Sequence, residues 1–171
     1  IFSSTCHLRI KTSRINNNNN GESRKTNMLP NIGYYVQSID QIVKETEAIG
    51  EGMHPKYEVI RNAIDEGKTS ELDKSTLEEI ILLFEEGTKK YRAMLMKVST
   101  LRPPAKAMGI HKNFEKAYLS YVAGCEEMIQ SIDLESGVDE DLFNTSEAKQ
   151  DQATDQLTAA IQKMTNLLLK K

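Results

Sequence analysis

The sequence predicts an all-α protein, an antiparallel up-down bundle of four rods built from five helices. Three observations predict it. Apolar residues recur at intervals of three and four along four stretches of similar length, the pattern of helices with one buried face. Nine glycines and four prolines in 171 residues are too few for the many turns of an all-β fold. The stretches are joined by short connectors, which makes successive rods antiparallel neighbours.

The first rod is expected as two helices. Ile32, Tyr35, Val36, Ile39, Ile42, Val43 and Ile49 keep helical spacing up to Gly50-Glu51-Gly52. Each glycine costs about 1 kcal/mol in a helix interior, so the rod is expected to break near Gly50–Gly52. Pro55 suits the first turn of a new helix, which carries Tyr57, Ile60, Ala63 and Ile64 and fades at Gly67.

The third helix is expected to start at the capping box Ser75-Thr76-Leu77-Glu78, in which hydroxyl and carboxylate satisfy each other's backbone amides. Leu77, Phe84, Tyr91 and Val98 stand seven apart, with Ile80, Gly87, Met94 and Leu101 three residues after each, a bundle seam. Arg102-Pro103-Pro104 ends it, because the Pro103 ring disfavours helical geometry at Arg102, and Pro104 is expected to open the next helix.

The fourth helix follows on Ile110, Phe114, Ala117, Tyr118, Tyr121, Cys125, Met128, Ile129 and Ile132. Leu134 to Ser146 reads as an acidic connector, with Leu142 and Phe143 tucked against the end of the bundle. The fifth helix carries Ala153, Leu157, Ala160, Ile161, Met164, Leu167 and Leu168, with Asn144 and Glu147 as its expected capping pair.

The asparagine run Asn16–Asn20 and its polar surroundings have too little apolar area to offset the entropy of ordering. Residues 1–29 are therefore expected to form a disordered polar and basic tail, and 30–171 a single helical domain. The chain opens on Ile1, so a fragment or processed form is expected, with Met28 a candidate natural start and 1–27 upstream sequence.

Residues 1–27 carry Arg9, Lys11, Arg14, Arg24 and Lys25 against Glu22, a net +4, in a chain whose formal charge is −3. The remaining body is acidic, which argues against nucleic acid as its partner. No run reaches the ~18 apolar residues of a membrane span, and the start lacks the apolar core of a secretory signal. A cytoplasmic location is expected, with an extracellular or cell-surface one open if an upstream leader was removed. Cys6 and Cys125 form no disulfide framework; Cys125, on the apolar seam, reads as a buried free thiol.

No nucleophile has a neighbouring base at motif spacing, and no phosphate-binding glycine loop is present. Neither catalytic activity nor a cofactor is expected. One metal alternative uses His54, Glu58, His111 and Glu115, two His/Glu pairs each four residues apart. Dimetal carboxylate bundles need two Glu-x-x-His motifs and two further glutamates, whereas Glu51-Gly52-Met53-His54 is a single motif on the expected break. His111 is expected beside the seam and solvated.

Tyr57, Ile60, Tyr91 and Tyr118 mark a candidate groove for a partner helix, with methionines nearby that adapt to varied ligands. The chain therefore reads as a non-enzymatic helical interaction module, an adaptor, immunity-type or chaperone-like bundle binding another protein. Self-association through one helix face is the structural alternative.

The run Pro103-Pro104, His111, Phe114, Ala117, Tyr118, Tyr121 and Gly124 resembles small helical-hairpin proteins of Gram-positive bacteria, which implies a bacterial protein and no catalytic residue. The architecture alone is similar to that of bacteriocin immunity proteins. Two signals of hairpin proteins exported by the type VII route are missing. There is no Trp, and no Tyr is followed by an acidic residue four positions on.

Overall fold

The computed structural model describes residues 31–169; the tail expected over 1–29 lies outside the described residues, as do Cys6 and the last two lysines. The chain is all-α in class, with four long helices among the described residues: α1 (Ile32–Asp65), α2 (Lys74–Thr100), α3 (Met108–Gln130) and α4 (Glu140–Leu169). Single turns of tighter 3₁₀ helix cover Thr69–Glu71 and Ala105–Ala107.

The expected break in the first rod is absent. α1 runs unbroken through Gly50, Gly52 and Pro55, about 51 Å at 1.5 Å per residue. Its buried positions Ile39, Ile42, Thr46, Gly50, Met53, Tyr57 and Ile60 keep steps of three and four across the glycines. That continuous apolar face outweighs about 2 kcal/mol of glycine propensity. Asn31 caps α1, its Oδ1 accepting from the Tyr34 amide at 3.2 Å.

Two other caps differ from the sequence reading. Asp73, not Ser75, caps α2, its Oδ1 accepting from the Thr76 amide at 2.7 Å. Asp139, not Asn144, caps α4 through the Leu142 amide at 2.9 Å. A carboxylate at either position also favours the positive end of the helix dipole. The 3₁₀ turn of Ala105–Ala107 stands between Pro104 and α3, so the proline does not open that helix.

The acidic connector is shorter and more ordered than expected. β1 (Ile132–Asp133) pairs antiparallel with β2 (Gly137–Val138). Asp133 Oδ1 accepts from the amides of Glu135 and Ser136 and from the Ser136 hydroxyl, and Gly137 supplies the φ of +87° that closes the hairpin. Phe143 is fully buried.

Successive helices run in opposite directions. Lys56 meets Glu79 and Lys97 meets Glu45 between α1 and α2. Arg92 meets Glu126 between α2 and α3, and Lys149 meets Glu127 between α3 and α4. α4 returns along α1, with Tyr35 beside Met164 and Tyr57 beside Phe143. The α2 seam read from the heptads, Leu77 through Val98, is buried throughout, and all four helices contribute to one continuous apolar core.

Two glycines mark the closest approaches. A Cβ on Gly87 would lie 2.1 Å from Met53 Sδ, so α1 docks a thioether into the notch in α2. A Cβ on Gly124 would lie 2.8 Å from Gln150 Cγ and 3.3 Å from the Gln150 amide nitrogen. There the backbones of α3 and α4 close up, and Gln150 Nε2 donates to the Gly124 carbonyl at 3.2 Å.

Candidate interaction surface

The core is rich in tyrosine. Tyr35, Tyr57, Tyr91, Tyr118 and Tyr121 are all buried, and burial raises every one of their hydroxyl pKa values, that of Tyr35 to about 12. A buried hydroxyl needs a partner, and three of those partnerships bridge α1 to the rest of the bundle.

They involve residues 35, 46 and 57, spaced by eleven. Eleven residues make just over three turns, so all three share one face of α1. Tyr35 Oη pairs with His111 Nδ1 at 3.0 Å and also lies 3.1 Å from Met164 Sδ. Thr46 Oγ1 pairs with Tyr118 Oη at 2.6 Å. Tyr57 donates to Glu147 Oε1, while Arg61 Nη1 donates to Glu147 Oε2 at 3.1 Å and to Asn144 at 2.7 Å. The guanidinium also lies over the Phe143 ring, in reach of a cation–π attraction.

His111 is therefore not the solvated residue expected; it is 4% exposed. Its ring also lies beside the Val98 backbone of α2. Tyr35 has a single hydroxyl proton, which can go to Met164 Sδ while His111 Nδ1–H donates to Tyr35, or to His111 Nδ1 itself. Burial lowers the His111 pKa below 6.5, and the nearby Glu115 carboxylate only partly opposes this.

The metal alternative is not assembled by the fold. His54 lies 3.4 Å from Glu58 on a partly exposed stretch of α1, with its ring stacked on Tyr57. His111 sits beside Tyr35, nineteen residues up α1 from His54, a separation of about 28 Å. Glu115 follows His111 on α3. Among the described residues no three His, Cys, Asp or Glu side chains gather to hold a metal ion. Cys125 is buried among apolar groups, which pushes its thiol up to about 12 and leaves almost no thiolate at neutral pH.

The groove residues Tyr57, Ile60, Tyr91 and Tyr118 are buried at 3% exposure or less. Tyr57 and Ile60 belong to α1, and Tyr91 and Tyr118 belong to the helices it covers. An open cleft of about 390 Å3 does lie between α2 and α3, lined by Thr88, Lys89, Ile129 and the Arg92–Glu126 pair. That pair is half exposed and worth little in water.

The surface is strongly segregated along the bundle axis. Tyr35, Val98, His111 and Met164 form one layer near the end where α1 and α3 begin and α2 and α4 finish. Within about one turn of this layer lie five of the nine large exposed apolar residues: Ile32, Tyr34, Met96, Met108 and Leu167. Over 31–36, 96–116 and 163–169 the same end carries six cations and one carboxylate, Glu115; Glu45, further along α1, reaches up to pair with one of the six, Lys97. The opposite end, over 57–82 and 127–150, carries fourteen carboxylates against four cations. Sequence reasoning missed this polarity because each helix alone has mixed charge; it emerges when antiparallel packing aligns the helix ends.

No helix among the described residues is long and apolar enough to cross a membrane. Comparison with protein families, curated proteins and solved structures finds no match to this chain.

Proposed function

We propose that the chain is a non-enzymatic interaction module, an antiparallel up-down bundle of four rods in which α1 is displaced to admit an amphipathic helix of a partner protein. The observation that carries this reading is the set of fastenings at Tyr35, Thr46 and Tyr57. Each is a hydroxyl hydrogen bond, worth a net ~1 kcal/mol, or about 2 kcal/mol for the one to the Glu147 carboxylate, and replaceable by water when the helix lifts. Pro55 adds a weak point inside α1, since it has no N–H to offer the Glu51 carbonyl. Lifting α1 uncovers Tyr91 and Tyr118, and a partner's apolar stripe would take the place of Tyr57 and Ile60. An adaptor, immunity-type or chaperone-like role fits such a surface, and a cytoplasmic setting keeps Cys125 reduced.

Capture from the source cells tests the reading, with α1 free and with α1 cross-linked to α2 between cysteines replacing Lys56 and Glu79. A protein recovered by the free chain and lost on cross-linking supports it. A partner retained after cross-linking binds the outer surface instead. Recovery of the chain alone, with a dimer by light scattering, gives the role to self-association.

A further inference from the structure

The basic end of the bundle has a use that the α1 groove does not supply. Six lysines and arginines among the described residues make no ion pair: Lys89, Arg102, Lys106, Lys112, Lys116 and Lys163. Five of the six belong to the end that also exposes Ile32, Tyr34, Met96, Met108 and Leu167. The lysines elsewhere, Lys89 apart, each pair with a carboxylate, on their own helix or on a neighbouring helix or turn. Here the cations are exposed and unpaired, and Tyr34 and Met96 are 65% and 70% exposed. Such an end has charge and apolar area to satisfy together.

We propose that this end docks on an anionic lipid surface. A membrane interface accepts both kinds of side chain at once: tyrosine, methionine and aliphatic groups enter the headgroup boundary while Lys and Arg meet lipid phosphates. The acidic opposite end turns the bundle, because an anionic surface repels it while attracting the basic end. A second copy offers its acidic end as counter-charge. Its large exposed apolar residues there are Val59, Leu82 and Leu134, with Leu82 on the flank of α2 and little at the tip to cover the apolar set.

The test is flotation of the full chain with vesicles of phosphatidylcholine alone and with about 30% phosphatidylserine, at low and high salt. Binding is expected only with phosphatidylserine and is expected to weaken with salt. Each basic side chain near an anionic leaflet strengthens binding about fivefold, so Arg102→Glu with Lys112→Glu should lower it at least tenfold. Tyr34→Ser with Met108→Ser tests the apolar contribution at unchanged charge and should also weaken binding. All four positions are exposed, and circular dichroism checks that the helices persist. Equal binding to both vesicles, or none to either, overturns the proposal. So does sedimentation without vesicles that the charge variant abolishes, which would assign the end to a second copy. Polyglutamate binding that displaces the chain from vesicles without any effect of the Tyr34 and Met108 changes would reduce the patch to charge alone and overturn the lipid assignment.

Discussion

Gly87→Ala tests the packing of α1 against α2 at the point where the first rod was expected to break. The added Cβ would lie 2.1 Å from Met53 Sδ, 2.7 Å from its Cε and 3.2 Å from its Cγ. Met53 is 2% exposed, so its side chain must take another rotamer within a filled core. Overpacking of this kind costs about 1–3 kcal/mol, and alanine returns about 1 kcal/mol of helix propensity. The net expectation is a loss of about 1 kcal/mol. Met53→Ala alone should cost about 2–5 kcal/mol through its cavity. In that background the Gly87→Ala methyl meets open space, so its sign should reverse to a gain of about 1 kcal/mol. The coupling in a double-mutant cycle is then about 2 kcal/mol. Urea unfolding of the four proteins, followed by circular dichroism, measures it. If Gly87→Ala changes stability equally in both backgrounds, Met53 does not fill the Gly87 notch and the account of the α1–α2 seam is wrong.

Three further outcomes are expected. His111 has a folded pKa below its unfolded 6.5, so the unfolded chain binds more protons. Its contribution is present above about pH 6.5 and is lost as pH falls through the folded pKa; His111→Gln should flatten that part of the stability profile in urea unfolding. Tyr57→Phe removes the hydroxyl that donates to Glu147 but leaves Arg61 in place, so thermal unfolding should register a loss of about 1–2 kcal/mol. Pro55→Ala returns an N–H to the helix ladder and should stabilise the fold by up to the ~3 kcal/mol that an internal proline costs, read as a raised melting temperature.

Much of this fold was legible in the sequence because it is written in local periodicity. The α2 seam follows from spacing, the corner at Pro103-Pro104 from proline sterics, and the burial of Phe143 from an apolar residue set in an acidic connector. Gly50 and Gly52 misled because propensity was weighed without phase: the steps from Ile39 to Ile60 never slip, and phase is what a packed face requires. His111 was missed for a related reason. It is in register with Phe114, Tyr118 and Cys125, but a polar residue on that register reads as an outlier unless its partner is known. That partner, Tyr35, lies 76 residues earlier. The hairpin at Ile132–Val138 is too short to show strand alternation, and the charge-segregated ends exist only once four helices are aligned.

The account rests most heavily on α1 opening as a unit while α2, α3 and α4 stay packed. Native-state hydrogen exchange read by mass spectrometry tests this directly. The account predicts that amides across 32–65 exchange together, with an opening free energy below that of α3 and α4 and below global unfolding. Protection of α1 equal to that of α3 and α4, or fast exchange confined to the turn around Gly50–Pro55, would contradict it.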